Sequence, residues 1–184
     1  MNQRKTVPFV IIGVVTLVIL VILWNNIFII LSPGERGIIF RKYTSGLDRN
    51  IVLQPGLNLM APWNEVYTYD VRESQVEERM DVLDKNGLTI TVDVSVRFHP
   101  VYSRIAYLHE NFGMGYKDRL VKPEVRSTVR RVMGRYTAEE IYSRKRAEVE
   151  ESIIKETGET LISENNNIQM KALLIRSIIL PDQL

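Results

Sequence analysis

The feature that most constrains this chain is a run without charge near its start. From Val7 to Trp24 the sequence reads VPFVIIGVVTLVILVILW, and after Asn25 and Asn26 the stretch Ile27 to Leu31 is uncharged as well. As a helix rising 1.5 Å per residue, about 20 such residues cross a hydrocarbon core of about 30 Å. A core helix of a globular domain carries one polar face, and this run is apolar all round. A cleavable signal peptide has a shorter apolar core followed by small residues, and here the first alanine is Ala61. The sequence therefore predicts a retained single transmembrane helix, with Trp24 placed as an interfacial anchor. Gly13 is the run's one glycine, so it carries no small-residue motif for tight helix pairing. Arg4 and Lys5 precede the run, and Arg36, Arg41 and Lys42 follow it beside Glu35. These counts nearly balance, and the expectation adopted is an N-terminus inside with the domain on the far side.

Residues 1–32 are thus expected to be a tail and membrane helix, and 33–184 a single domain. About 150 residues suffice for one core without staples. The charge balance, 24 basic against 22 acidic residues, gives a net charge of only +2. It offers no field that would draw nucleic acid. There is no cysteine, which excludes disulfides, thiol catalysis and cysteine-bound zinc.

The domain reads as α+β. Ser32-Pro33-Gly34 breaks the chain, and Pro55-Gly56 and Ala61-Pro62 mark further turns between short strand-like runs at Ile38–Phe40, Ile51–Leu53 and Val66–Val71. A hairpin follows. Its first arm is Ser74–Leu83, and its turn is Asp84-Lys85-Asn86-Gly87, with Asn-Gly expected to supply positive φ angles. In the second arm Leu88, Ile90, Val92, Val94, Val96 and Phe98 alternate with Thr89, Thr91, Asp93, Ser95 and Arg97. Such a period of two signals a strand with one buried face. Val121, Val125, Val129, Val132 and Tyr136 then recur at helical spacing to about Gly134, with Pro123 in the first turn. Thr137-Ala138-Glu139-Glu140 fits a capping box opening a second helix from Ala138 to about Ser163. Asn165-Asn166-Asn167 ends that helix, and Ile168–Leu180 is a last strand stopped by Pro181. Segregated strands and helices imply a mostly antiparallel sheet covered by helices on one face.

The search for chemistry returns no catalytic, cofactor-binding or metal residues. His99 and His109 stand in no metal-ligand spacing. Gly113-Met114-Gly115 lacks the flanking pattern of a phosphate loop, and no serine stands in a nucleophile motif. Glu139/Glu140 and Glu150/Glu151 read as solvated helix faces. Arg126, Arg130, Arg131 and Arg135 line the first helix, and Arg144, Lys145 and Arg146 open the second. Without aromatic interleaving, and with glutamates close by, ion pairing within or between chains explains them better than nucleic acid does. Lipid headgroups are a further reading. The chain is therefore expected not to be an enzyme.

A set of ordered segments resembles the SPFH, or band 7, superfamily, and most of all its prohibitins. These are PGERGIIF at Pro33–Phe40, QPGLNLMAPW at Gln54–Trp63, YDVR at Tyr69–Arg72 and DKNGLTITVDVSVRF at Asp84–Phe98. They continue with VRSTVRRVMGRYTAEEIYSRKRAEVEESI, ending at Ile153, and LLIRSIILP at Leu173–Pro181. The resemblance implies an SPFH-type domain in a membrane-anchored oligomeric scaffold without catalytic residues or cofactors. Its implied partners are membrane lipids, like or related subunits and an AAA-type membrane metalloprotease. Its implied location is the bacterial inner membrane or the mitochondrial inner membrane. A stomatin- or flotillin-like organiser of lipid microdomains is the alternative. In that family a coiled-coil segment follows the last strand, so this sequence, ending at Asp182-Gln183-Leu184, is expected to be a fragment.

Overall fold

The structure, a computed structural model, describes residues 12–18, 27–142, 145–163 and 165–179. Most of the expected membrane run lies outside the described residues. Within it, residues 12–18 are helical and their side chains are exposed. Among the described residues no helix is long and apolar enough to cross a membrane.

The chain divides into two compact units, Met1–Asp70 and Val71–Leu184. In the first, strands β1 (Phe28–Leu31) and β4 (Gly56–Leu59) form an antiparallel ribbon. Strands β2 (Glu35–Arg41), β3 (Gly46–Leu53) and β5 (Glu65–Asp70) form an antiparallel sheet in the order β3-β2-β5. Phe28–Leu31, which the sequence appends to the apolar run, is thus a strand. Four apolar residues have no strand signal of their own, and it is the β4 backbone that satisfies them. Central strand β2 buries Ile38 and Ile39 on successive faces. Between its neighbours Gly37 is required by close approach. A Cβ there would stand 3.0 Å from Val66 Cγ1 and 3.1 Å from both Leu31 Cδ1 and Leu53 Cδ1.

The second unit is a three-stranded antiparallel sheet, β6 (Ser74–Leu83), β7 (Thr89–Pro100) and β8 (Ile168–Ile179), in that order. The predicted hairpin is present with its predicted arms, and Ile90, Val92, Val94, Val96 and Phe98 are all fully buried. Its turn differs from a two-residue Asn-Gly turn. Gly87 N–H donates to Asp84 C=O at 3.0 Å and Asp84 N–H to Leu88 C=O at 2.9 Å. Only Gly87, at φ +81°, takes positive φ here. This is the three-residue loop in which a turn is followed by one left-handed residue.

Helix α1 (Ile105–Phe112) was not predicted; it is short, and it seats Ile105, Ala106 and Leu108 in the core. Helix α2 (Lys122–Met133) carries the predicted valine stripe, with Pro123 in its first turn, after a single π-helical turn at Lys117–Val121. The single helix expected from Ala138 to Ser163 is two, α3 (Ala138–Tyr142) and α4 (Arg146–Leu161), with Lys145 leaving helical geometry at φ −109°, ψ 10°. Helix α2 packs on β6 and α4, and α4 packs on β8. The fold is α+β with antiparallel pairing as expected, but the described strands make three sheets rather than one. Hydrophobic period predicts strands well, whereas which strands share a sheet depends on long-range pairing.

Candidate functional site

In the N-terminal unit the ribbon presents an unusual surface. Cross-strand neighbours Phe28↔Leu59 and Ile30↔Leu57 lie on one face. Ile30 is 77% exposed, Leu57 64% and Leu59 68%. The alternate residue Leu31 points the other way and is buried. Met60 N–H donates to Ile27 C=O at 2.9 Å and extends the ribbon by one bond, and Trp63 in the following turn is also exposed. Scattered exposed leucines are ordinary, but large apolar side chains paired across one face mark an interaction surface.

In the C-terminal unit the residues singled out in the sequence are mostly structural. The His99 ring nitrogen Nδ1 lies 3.0 Å from Pro100 C=O, with its ring against Tyr102. His109 lies on α1, and burial lowers its pKa. Gly113-Met114-Gly115 is a helical turn covered by the Arg119 guanidinium, which donates to Phe112 C=O. Thr137 and Glu140 form the predicted capping box. Thr137 N–H donates to Glu140 Oε2 at 3.0 Å, and Glu140 N–H donates to Thr137 Oγ1 at 3.3 Å. Among the described residues no cluster of three or more His, Asp or Glu could hold a metal ion.

The basic cluster resolves largely into ion pairs. Arg131 and Arg135 converge on Glu156 at 3.0 and 2.5 Å and tie α2 to α4. These arginines, Arg135 first, hold the Glu156 carboxyl below its usual range. Lys145 meets Glu140 at 2.8 Å. Arg146 and Glu150 lie 3.5 Å apart and grip the backbone of β8 together. Arg146 donates to Ile175 C=O, and Ile175 N–H donates to Glu150 Oε1 at 2.9 Å. That satisfies the strand where it bulges against β7. Arg144 lies outside the described residues. Arg130 is exposed.

Two residues matter more: Glu78, which sequence reading did not single out, and Asp84, which it placed in the hairpin turn without a further role. Glu78 sits on the inward face of β6 between Val76 and Met80 and is buried. Arg126 binds it at 2.6 Å and Lys122 stands 3.7 Å away, so α2 is latched to the sheet by charge as well as by valines. An acid on the apolar side of an alternating strand, ahead of an arginine-rich helix, was the available signal. Asp84 accepts from Asn86 and Leu88 N–H at 2.8 Å each and from Ala138 N–H at 3.0 Å. It joins the hairpin turn to the start of α3. Burial raises its pKa, but the amides of Leu88, Ala138, Asn86 and Gly87 outweigh that and hold the carboxyl below its usual value.

Away from the helices, the outer face of the sheet is a lattice of opposite charges. Arg79 lies 3.7 Å from Asp93 and Arg97 lies 3.2 Å from Glu73, while Arg176 pairs with Glu77. A groove of about 450 Å³ runs over it, lined by charged residues together with Val94 and Ser177. Within it the Ser177 hydroxyl donates to the Asp93 carboxylate, which Arg79 also approaches.

The profile of the SPFH domain / Band 7 family matches residues 29–184. The chain belongs to the SPFH domain / Band 7 family. The match begins inside β1 and runs through both units. Among curated relatives, Prohibitin-7, mitochondrial, of Arabidopsis thaliana is 24% identical over 115 residues, covering 62% of this chain and 41% of that protein. Prohibitin-2 of Xenopus tropicalis is 23% identical over 127 residues, covering 68% of this chain and 42% of that protein. The SPFH chain described here thus spans about two fifths of the length of the relatives it matches. The prohibitin resemblance read from the sequence stands.

Proposed function

We propose that this SPFH chain is a membrane-anchored, non-enzymatic scaffold of the prohibitin type, assembling with like or related subunits to organise a membrane patch. The observation that carries the reading is the outward apolar face of the β1–β4 ribbon, directly after a charge-free run of membrane-spanning length. In this reading the anchor lies within residues 1–32, crosses with its N-terminus inside, and holds the domain over 33–184 against the bilayer. Ile30, Leu57 and Leu59 then rest in the headgroup region, and Trp63 suits the same boundary. The membrane is the bacterial inner membrane or the mitochondrial inner membrane. Regulation of an AAA-type membrane metalloprotease is the activity proposed for the assembled scaffold, and family membership supports a scaffold role.

The test is extraction. The chain should stay with membranes through carbonate and high-salt washes, which release peripheral proteins but not a buried span. Recovery in the soluble fraction would overturn the anchor. If the anchored protein changes lipid clustering but never the turnover of membrane-protease substrates, the stomatin- or flotillin-like role replaces the prohibitin-like one.

A further inference from the structure

Strand β6 is an edge. In the order β6-β7-β8, its strand partner among the described residues is β7 alone. The hairpin fixes which of its backbone groups face outward. Asp84 N–H bonds to Leu88 C=O, and hydrogen-bonded pairs recur at every second residue of an antiparallel ladder. The bonded pairs are therefore Val82↔Ile90, Met80↔Val92, Glu78↔Val94 and Val76↔Val96. The amides and carbonyls of Gln75, Glu77, Arg79 and Asp81 point away from β7, into the open edge.

Charge on an edge strand ordinarily blocks pairing. A row of one sign would do so here. The order on β6 is Gln75, Glu77, Arg79, Asp81 on one face, and that order is complementary to itself when reversed. We propose that the free edge of β6 is a docking surface for the β6 of a second copy of this chain, paired antiparallel about a two-fold axis through residue 78. Glu77 of each copy then faces Arg79 of the other, and Gln75 faces Asp81. On the inward face Val76 meets Met80. Glu78 meets its own counterpart at the axis, each already neutralised by the Arg126 and Lys122 of its own chain.

Neighbouring registers are worse. A two-fold through 79 sets Arg79 on Arg79 and Glu77 on Asp81. One through 77 sets Glu77 on itself. One through 80 keeps an Arg79–Asp81 match but shortens the paired run. The charged groups that must change partners are exposed, and within the chain Glu77 also accepts from Gln75 Nε2 at 3.1 Å and Asp81 from Thr91 Oγ1 at 2.7 Å. Arg79 is 67% exposed and 3.7 Å from Asp93, and Glu77 is 54% exposed beside Arg176. Exposed pairs of this kind contribute little, so exchanging them costs little. The contact is isologous and closes at two copies, which makes it a pairing unit and not a ring. It rests on the scaffold reading only for the supply of second copies at one membrane.

The experiment uses the whole chain in detergent, with association followed by sedimentation equilibrium. The wild type should dimerise at micromolar concentration. Glu77→Arg and Arg79→Glu should each weaken self-association at least tenfold, because each sets like charges opposite one another across the axis. Mixed one to one, the two variants should recover the dimer, since the arginines of one meet the glutamates of the other. A merely structural role for these residues gives no such recovery. A second measurement uses the chain's freedom from cysteine. Gln75→Cys combined with Asp81→Cys should give an oxidised, disulfide-linked dimer, while Gln75→Cys combined with Arg97→Cys should not. A wild type that stays monomeric at 100 µM, about a hundred times the expected range, overturns the proposal. So does a mixture without recovery, or a Gln75/Asp81 pair that fails to cross-link. Large assemblies that ignore both charge reversals would keep the scaffold reading and remove this pairing from it.

Discussion

On β7 of the C-terminal unit every second residue from Ile90 to Phe98 is sealed from solvent, whereas the β1–β4 ribbon of the N-terminal unit turns Ile30, Leu57 and Leu59 outward. Both regions are built from paired antiparallel strands rich in apolar residues. The difference lies in what covers them. Helices α2 and α4 lie over the C-terminal sheet, and their valines and isoleucines complete one core. Among the described residues the outer face of the ribbon keeps Ile30, Leu57 and Leu59 exposed, so these apolar side chains are free to face a partner phase. In one unit apolar residues stabilise the fold; in the other a share of them is available for binding.

The largest expected effect follows from that contrast. Phe98 is fully buried and packs edge-to-face on Tyr116 at 6.5 Å. Phe98→Ala should destabilise the protein by about 3–5 kcal/mol, read as a drop in the midpoint of chemical unfolding. A loss under about 1 kcal/mol would mean that the C-terminal core does not carry the stability assigned to it.

Asp84→Ala comes next, at about 2 kcal/mol, because it leaves the amides of Asn86, Leu88 and Ala138 without their acceptor. The effect should depend on pH with a definite sign. The folded carboxyl titrates below its ordinary value of 3.8. Its contribution is therefore complete above that value and is lost as pH falls from there through the folded pKa. Thermal melts of wild type and variant should be far apart at pH 7 and converge in strong acid. Curves that stay parallel down to pH 2 would remove the charge from the explanation.

Gly87→Val should cost about 1 kcal/mol, since the residue sits at φ +81° in the hairpin loop, a region that β-branched side chains avoid. An unchanged melting temperature would show that the loop re-forms as another turn type.

The smallest effect on stability belongs to the ribbon, and it sharpens the comparison most. Leu57→Ser with Leu59→Ser should change stability by less than about 0.5 kcal/mol, as exposed positions do. The same pair should reduce the depth at which a fluorophore attached near residue 58 reports burial in vesicles of phosphatidylcholine and cardiolipin. Large destabilisation with unchanged fluorescence would assign the ribbon to the core and not to the membrane surface.

The sequence by itself determined the local elements. Strict alternation from Leu88 to Phe98 could only be a strand with one buried face, and the valine spacing from Val121 could only be an amphipathic helix. Thr137 and Glu140 announced a helix start that forms as read. The ordered motifs from Pro33 to Pro181 were enough for the family resemblance. Each of these signals lives within a few residues, where backbone geometry and solvent dictate the pattern.

Tertiary structure decided what depends on distant partners. Phe28–Leu31 became a strand only because Gly56–Leu59 lies beside it. Ile105–Phe112, too short to stand alone as a helix, is one because Ile105 and Leu108 reach the core. The break between α3 and α4 and the division of the strands into separate sheets were equally out of reach, since neither is encoded in any single window. The burial of Glu78 was half legible. Its place on the inward face follows from the period of β6, but only packing brings Arg126 and Lys122, far along the chain, close enough to offset the cost of burying its charge.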